Sequence, residues 1–285
     1  IKASDGTNEV RQNICVTIVN LNDNTPEISS DAAFSAAENQ TAIGTVTATD
    51  PEGDAITIGL SGVPNDDTSK FTINSEGLLT LRSSGDYETQ SSYTLRAQGF
   101  DEGNREAVGH IITVNLNDVN DAPSIDSSSS FIADENQTDI GSVIATDEDG
   151  DSVTFTISGS ELAITSAGVL TFVSAPDYET KTTYTATVTA SDGTNSTTQD
   201  ITVNVTNVND NSPAFTSDAT FSADENQTAI GMVAASDADG DGITYSISGS
   251  DMTVNSSSGV IAFASAPDYE KTTSYSATVT ASDGT

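Results

Sequence analysis

The sequence predicts an all-β protein made of tandem antiparallel β-sandwiches, with about seven strands in each repeat. One observation is a long internal period, because Asp101, Asp192 and Asp283 lie 91 residues apart in related segments. A second is that apolar residues alternate with Ser and Thr in short runs, as in strands with one buried face. A third is that no stretch of the sequence shows a helical period. A repeat of about 90 residues has the length of a whole domain.

The period is carried by short motifs that return in the same order. The motif Glu-Asn-Gln-Thr begins at Glu38, Glu135 and Glu225, Asp-Tyr-Glu begins at Asp86, Asp177 and Asp268, and Asn-Asp begins at Asn22, Asn120 and Asn209. Each Asn-Asp pair is closely followed by a proline, at Pro26, Pro123 or Pro213. Such short, proline-containing connections predict stiff joints between repeats.

The strands within a repeat can be read from the alternation. Val153, Phe155 and Ile157 alternate with polar residues, and so do the apolar residues of 184–188 and 201–205. Turns rich in Gly and Asp, such as residues 149–151 and 158–160, separate these runs. Antiparallel sandwiches are built in this way from many short strands.

The position of the motifs predicts four segments. Residues 1–26 are expected to be the C-terminal tail of a truncated preceding domain. Complete domains are expected at 27–123 and 124–213. Residues 214–285 are expected to form a domain without its last strand, so that export and anchoring signals would lie outside the sequence.

Composition limits the partners of the protein. The chain has 43 acidic and 8 basic residues and a formal net charge of −35. That charge repels nucleic acid and anionic membranes, so we expect no nucleic-acid partner and no direct membrane contact. Cys15, which precedes the alternating Val16 and Ile18, is the only cysteine, and this excludes a disulfide framework.

Acidic motifs complete each repeat and carry a resemblance. In the second repeat they are Glu135-Asn136, Asp147-Glu148-Asp149, Asp177-Tyr178-Glu179, Asp192-Gly193 and the junction from Asn207 to Pro213. In this order they resemble the motifs of cadherin domains over essentially the whole chain. The Ser-, Thr-, Gly- and Asp-rich composition is most similar to bacterial cadherin-like repeats. The resemblance implies Greek-key, immunoglobulin-like sandwiches joined end to end as a rod.

The resemblance also implies calcium ions between consecutive domains. At the middle junction the implied ligands are Glu38, Asp86, Glu88, Val119, Asn120, Asp121, Ala122, Asp147, Asp149 and Asp192. At the next junction they are Glu135, Asp177, Glu179, Asn209, Asp210, Asn211, Asp237, Asp239 and Asp283. The first junction retains Asn22, Asp23, Asn24, Asp50, Glu52 and Asp101 and is expected to be a partial site. Val119, Ala122 and the region of Asn211 would contribute main-chain carbonyls.

Calcium fits this set of residues on chemical grounds. It takes six to eight oxygen ligands from carboxylates, amides and carbonyls. Two carboxylates about 4 Å apart repel by about 4 kcal/mol at an effective dielectric constant of 20. A bound dication reverses the sign of this interaction. Calcium binding would therefore be coupled to the angle between neighbouring domains.

The leading hypothesis is a non-enzymatic, calcium-binding adhesive or structural segment of a secreted or surface-anchored protein. Its candidate partners are like arrays on other cells, by homophilic adhesion, or surface polysaccharide. One alternative is a carbohydrate-binding array, in which the tyrosines of Asp-Tyr-Glu would stack on sugars rather than pack in the sandwich. Another is a passive extracellular spacer. A glycosidase is disfavoured because the acidic motifs recur in every repeat, and an EF-hand because Ser158 stands where the loop needs glutamate.

Overall fold

The computed structural model describes residues 1–62, 64, 66–103 and 106–285 of the chain. It divides into two compact units, Ile1–Asp121 and Ala122–Thr285. The described residues form strands and one short 3-10 helix, Thr68–Lys70. The predicted all-β class is confirmed. No helix in these ranges is both long and apolar enough to cross a membrane.

The first unit contains eleven strands. They are β1 (Lys2–Ser4), β2 (Glu9–Arg11), β3 (Glu27–Ile28), β4 (Ala33–Ala37), β5 (Ala42–Thr45), β6 (Ala48–Thr49), β7 (Thr57–Leu60), β8 (Phe71–Ile73), β9 (Leu78–Leu81), β10 (Ser92–Phe100) and β11 (His110–Asn117). Strands β1 and β2 pair with each other as a hairpin. The other nine form a sandwich with one sheet in the order β4-β11-β10-β7 and another in the order β5-β9-β8, while β3 pairs with β6.

Side chains that alternate along the strands form the core of the first unit. Leu95 on β10 and Ile112 and Val114 on β11 are almost completely buried, and they meet Phe71 and Leu79 from the facing sheet. This inward and outward alternation is the property that the sequence pattern encodes. The core therefore lies between the two sheets of the sandwich.

The second unit contains sixteen strands. They are β12 (Ser124–Ile125), β13 (Ser130–Asp134), β14 (Asp139–Ser142), β15 (Ala145–Thr146), β16 (Thr154–Ile157), β17 (Leu162–Ile164), β18 (Val169–Phe172), β19 (Thr183–Ser191), β20 (Ser196–Thr206), β21 (Ala214–Phe215), β22 (Ala229–Met232), β23 (Ala235–Ser236), β24 (Thr244–Ile247), β25 (Met252–Val254), β26 (Val260–Phe263) and β27 (Val279–Ser282).

Strands β12–β20 repeat the sandwich of the first unit. One sheet has the order β13-β20-β19-β16 and the other the order β14-β18-β17, while β12 pairs with β15. The core contains the predicted strand residues Phe155, Val188, Ile201, Val203 and Val205. The alternation in the sequence therefore located these strands and their buried faces.

Strands β21–β27 form a smaller set of sheets from the third repeat. The orders are β22-β26-β25, β24-β27 and β21-β23. In the described residues β27 pairs with β24 alone, whereas β19, at the corresponding place in the second repeat, lies between β16 and β20.

Two features depart from the simplest expectation. One pair in each four-stranded sheet is parallel, β4 with β11 and β13 with β20. This happens because the first strand of each repeat is split, and its second piece crosses to the other sheet. In addition, the alternating residues Val16 and Ile18 belong to no strand. A lone apolar run has no neighbouring strand to satisfy its backbone hydrogen bonds.

Candidate metal centre

A buried glutamate begins the acidic site of the second repeat. Glu135 is only 3% exposed. Its carboxylate accepts hydrogen bonds from the backbone N–H of Tyr178 and of Val208, each at 2.8 Å. Bonds of this kind, with an ionised acceptor, are stronger than neutral ones. Glu135 thus connects the Asp-Tyr-Glu loop to the segment that leads into the next repeat.

The residue after this glutamate also faces the linker. Asn136 has a left-handed backbone with φ of 62°, a conformation that asparagine tolerates better than most residues. Its side-chain amide donates to Asp210 Oδ2 at 2.6 Å. The amide therefore holds an acidic residue of the linker beside Glu135. The sequence motif contained Asn136, but nothing in the motif indicated this contact.

Four carboxylates from separate parts of the second unit meet at this point. Oxygen atoms of Glu135, Glu179, Asp210 and Asp239 all lie within 4.8 Å of one another. Glu135 and Glu179 belong to the second repeat, Asp210 to the linker and Asp239 to the third repeat. All four residues were predicted as ligands of one junction. The fold brings them together although they are far apart in the sequence.

The side chain of Asn211 lies among these acids. Its amide donates to Glu179 Oε2 at 3.2 Å, to Asp210 Oδ1 at 2.7 Å and to Asp239 Oδ1 at 3.0 Å. Its backbone N–H also donates to Asp239 Oδ2 at 2.8 Å. The amide supplies the positive end of its dipole where four negative charges converge.

The pKa values of two acids respond in opposite directions to this environment. The hydrogen bonds from the Asn211 side chain hold the pKa of Asp239 below its ordinary value. Loss of hydration, followed by the charges of Glu135 and Asp239, raises the pKa of Glu179. Of these two acids, Glu179 is therefore the one whose charged form the cluster disfavours.

Further oxygens come from two equivalent turns, one directly after β15 and one directly after β23. Asp237 Oδ1 accepts the backbone N–H of Asp241 at 3.3 Å, and Asp147 Oδ1 accepts that of Asp151 at 3.1 Å. The other oxygen of each, Oδ2, is enclosed without a hydrogen-bond partner. The corresponding Asp50 has the same arrangement. One oxygen thus caps the turn and the other remains unpaired.

Three further predicted ligands of this junction have side-chain oxygens that accept hydrogen bonds. Asp177 accepts from the backbone N–H and the hydroxyl of Thr180, both at 3.0 Å. Asp283 accepts from the backbone of Thr285 at 3.0 Å, and this bond lowers its pKa. Asn209 Oδ1 accepts from the Thr285 hydroxyl at 3.3 Å. These contacts place Asn209 close to the Asp283 loop.

The first unit contains the same arrangement around its own glutamate. Glu38 is 3% exposed and accepts from the N–H of Tyr87 at 2.5 Å and of Val119 at 2.8 Å. Oxygens of Glu38, Glu88 and Asp121 lie within 4.8 Å of one another. The repeated geometry shows that these contacts are a property of the repeat.

The other predicted ligands of the middle junction have these local contacts. Asp86 binds Thr89 as Asp177 binds Thr180, and the Asn120 amide donates to the carbonyl of Asp121 at 2.7 Å. In the second unit, Asp192 accepts from the backbone of Thr194 and Asn195. Ala122 begins the second unit, which also contains Asp147 and Asp149.

Three acidic residues lie close together at the first junction, and one of them was not predicted as a ligand. Oxygens of Asp50, Glu52 and Asp54 lie within 4.8 Å of one another, and all three residues are half-buried. Loss of hydration, and then the charges of Asp50, Glu102 and Asp101, raises the pKa of Asp54. The recurrence of an aspartate at this turn position, as Asp54, Asp151 and Asp241, could have identified it.

The remaining residues of the first junction lie next to this group. The Asn24 amide donates to Glu52 and, at 3.1 Å, to Asp23 Oδ1. A Cβ atom on Gly103 would lie 3.0 Å from the Asn22 amide nitrogen and 3.2 Å from Asp101 Oδ1, so both side chains border that turn. Asn22 Oδ1 and Glu52 Oε2 are enclosed without hydrogen-bond partners.

The fold and the acidic sites define a class: tandem β-sandwiches with carboxylates gathered where one repeat meets the next. The chain is 31% identical to human Protocadherin Fat 1 over 99% of its own length, which is 7% of that protein. It is also 31% identical to the Drosophila protocadherin-like wing polarity protein stan over 79% of the chain, again 7% of the relative. No family model matches the chain.

Solved structures agree with this likeness. The extracellular cadherin domains 3–6 of Protocadherin Gamma B2 are 26% identical with a TM-score of 0.58, over 91% of this chain and 69% of that one. Mouse Cadherin-23 EC22–24, at 22% identity and a TM-score of 0.55, covers 92% of this chain and 94% of that one and shows the fold alone. The chain therefore consists of cadherin-like repeat domains of the extracellular type. These relatives are animal proteins, and they lend no support to a closer likeness to bacterial repeats.

Proposed function

We infer that the chain is a non-enzymatic, extracellular segment of an adhesion protein, in which calcium ions bind where successive repeats meet and stiffen the array. The single observation that carries this inference is the cluster of Glu135, Glu179, Asp210 and Asp239, with oxygens within 4.8 Å of one another. The ligands come from two repeats and their linker. An ion bound there would restrict the motion of one repeat against the other.

Calcium suits the residues better than other ions do. All the donors are carboxylate, amide or carbonyl oxygens, which hard cations prefer. Asp237 Oδ2 is enclosed without a hydrogen-bond partner and offers an additional oxygen from the third repeat. With calcium bound, the Asn211 amide would turn away from the acids it now contacts, since both cannot occupy the same place.

The wider role follows from the likeness to cadherins and is proposed here for the segment as part of a longer protein. A membrane-anchored or secreted parent would project the array from a cell surface. Pairing with like arrays would give homophilic adhesion. The segmentation into 1–26, 27–123, 124–213 and 214–285 is proposed on the recurrence of the junction motifs.

A carbohydrate-binding function finds less support. Tyr87 and Tyr178, the tyrosines of Asp-Tyr-Glu in the first two repeats, pack against the two hydrophobic cores. Their rings are half-buried and serve the sandwich rather than forming a flat platform for sugars. A passive extracellular spacer would differ from an adhesive segment only in having no binding partner. Measurements of self-association would distinguish the two functions.

Thermal unfolding in calcium, magnesium and chelator at equal ionic strength tests the proposed metal binding. Extracellular calcium modules have dissociation constants of about 10⁻⁴–10⁻³ M. Calcium at about 10 mM should then stabilise each site by about 1.4–2.7 kcal/mol and raise the midpoint. Magnesium should do less, because it demands six ligands in near-octahedral geometry and dehydrates reluctantly. Equal midpoints in calcium and chelator would contradict the proposal.

The variant Glu179→Gln separates the effect of removing a charge on stability from the effect of losing a ligand on calcium binding. Without calcium it should raise stability, because it removes the acid whose pKa the cluster raises. With calcium it should weaken binding about tenfold or more, because one charged ligand is lost. The matched control is Glu270→Gln, which changes the same motif position in the third repeat. If both variants had the same effect, the junction assignment would be wrong.

A further inference from the structure

The side chain of Asn211 connects two repeats within the second unit. Asn211 is half-buried. Its amide nitrogen contacts Glu179 of the second repeat, Asp210 of the linker and Asp239 of the third repeat. Ionised carboxylates accept hydrogen bonds and cannot donate them, so the nitrogen of the amide, and not its oxygen, must face these three groups. An amide has two hydrogens, so the two shorter contacts, to Asp210 and Asp239, are the stronger ones.

The first junction shows the same contact in the other unit. Asn24 stands at the same place in the motif Asn-Asp-Asn, and its amide donates to Asp23 and Glu52. Asp23 corresponds to Asp210 in the linker, and Glu52 corresponds to Asp239 in the turn of the following repeat. In both units, therefore, an amide at this position joins the linker aspartate to an acid of the next repeat.

The middle junction differs in sequence at this position. Residue 122, the counterpart of Asn24 and Asn211, is alanine. Its methyl side chain can donate no hydrogen bond. The resemblance to cadherins assigns a main-chain carbonyl to this position as a ligand, and alanine has that carbonyl as asparagine does. The alanine therefore lacks the amide but keeps the implied ligand.

We propose that the Asn211 amide is a metal-independent tie between the second and third repeats, and that calcium must displace it to bind at this junction. The displacement, but not the tie, rests on the calcium binding proposed above. A cation among the acids would repel the polar hydrogens of the amide, which lie against the same oxygens.

The tie has a consequence for calcium affinity. When only part of a population can bind a ligand, the apparent dissociation constant is the intrinsic one divided by that fraction. Molecules in which the Asn211 amide holds the acids belong to the part that cannot bind. Asn211 therefore lowers the calcium affinity of its own junction, whereas Ala122 imposes no such cost on the middle junction. The two junctions would then stiffen at different calcium concentrations.

Hydrogen exchange in chelator tests the tie without any metal ion. Exchange followed by mass spectrometry reports local opening of the segment that contains Asn211 and of the turn that contains Asp239. The variant N211A should exchange about tenfold faster in both segments, as expected for the loss of a hydrogen bond to a charged group. The control N204A removes an exposed amide from β20 and should exchange like the parent chain.

A calcium titration followed in the same two segments tests the displacement. Calcium should protect them at a concentration about tenfold lower in N211A than in the parent chain. A substitution that only damaged the site would need more calcium, so a looser junction in chelator together with tighter calcium binding identifies a displaced tie. If calcium protected neither segment of the parent chain, the displacement and the proposed calcium site would both be wrong, while exchange in chelator decides the tie separately.

The reverse variant A122N tests the same idea at the middle junction. It gives residue 122 the amide that Asn24 and Asn211 have. It should raise the calcium concentration that protects the turn containing Asp149 by about tenfold. Three results would overturn the proposal: equal exchange of N211A and the parent chain in chelator, a calcium affinity that falls in N211A, or an A122N variant that responds to calcium like the parent chain.

Discussion

Buried glutamates organise each repeat at the level of single residues. Glu38 and Glu135 each accept two backbone N–H groups, one from the Asp-Tyr-Glu loop and one from the following linker. Such bonds offset part of the cost of burying a carboxylate. Glu225, in the third repeat, keeps the loop contact to Tyr269 at 3.0 Å but is exposed. In the first two repeats the buried glutamate therefore joins the Asp-Tyr-Glu loop to the linker.

Another acid in the first repeat has a purely structural role. Although partial burial works against it, the hydrogen bonds from the Thr94 backbone, Lys70 and Gln90 lower the pKa of Asp67. Asp67 accepts from Thr94 N at 3.0 Å and pairs with Lys70 at 3.0 Å. We expect Asp67→Asn to cost about 1 kcal/mol of unfolding free energy at pH 7, measured by urea denaturation. The exposed Asp31→Asn is the matched control and should change little.

The same variant gives a pH dependence of known sign. The pKa of Asp67 is lower in the folded chain than the ordinary 3.8. Its contribution is therefore complete above that value and is lost as the pH falls through the folded pKa. The stability difference between the parent and Asp67→Asn should be constant near pH 5 and shrink below pH 3.8. A difference that grows in acid would refute this assignment.

At the level of elements, the tight turns between short strands are the points most sensitive to substitution. Gly168 lies between β17 and β18 with φ of 87°, and an added Cβ would be 2.2 Å from the carbonyl oxygen of Val143. Neither the left-handed backbone nor this space admits a side chain. The turn lies directly against Val143, in the connection between β14 and β15, and this close contact fixes how the hairpin packs.

A pair of alanine variants measures this constraint. Gly159 has φ of 86°, but a Cβ there would meet nothing within 4 Å. Gly159→Ala should cost about 1–2 kcal/mol, from the backbone conformation alone. Gly168→Ala should cost about 3 kcal/mol or more, because the steric clash is added. Equal losses in calorimetric unfolding would show that the Val143 contact relaxes without cost.

At the level of the whole molecule, the net charge of −35 is the dominant physical property. Like charges on a compact chain repel one another and lower its stability. Five cation–carboxylate pairs occur among the described residues, and each has at least one partner that is substantially exposed. Such exposed pairs contribute little. Cations from solution must therefore balance most of the charge.

Monovalent salt should consequently stabilise the calcium-free chain. Raising sodium chloride from about 0.1 M to about 1 M shortens the Debye length from about 10 Å to about 3 Å. We expect the unfolding midpoint in chelator to rise by several degrees, measured by circular dichroism. The rise should be smaller in saturating calcium, because calcium bound as proposed would already neutralise the clustered acids. A fall in the midpoint with salt would exclude repulsion as the main destabilising effect.

Local patterns of the sequence predicted the all-β class and the position of many strands. Alternation along 153–157, 184–188 and 201–205 identified strands and their buried faces, because a strand exposes its side chains to opposite faces in turn. The repeated acidic motifs identified residues that the structure brings together, including Glu135 and Asp239. Both kinds of information depend on spacing along the chain.

Three-dimensional packing supplied what spacing could not. Three features of the acidic sites depend on how loops and linkers converge. Asn211 lies among the acids, Asp54 joins the cluster of Asp50 and Glu52, and Asn136 contacts Asp210. The parallel pairing of β13 with β20 depends on a strand that crosses between sheets. Val16 and Ile18 show the reverse case, since their strand pattern has no partner in the described structure and forms no strand. A strand is completed by its neighbours, and only the folded chain specifies which neighbours are present.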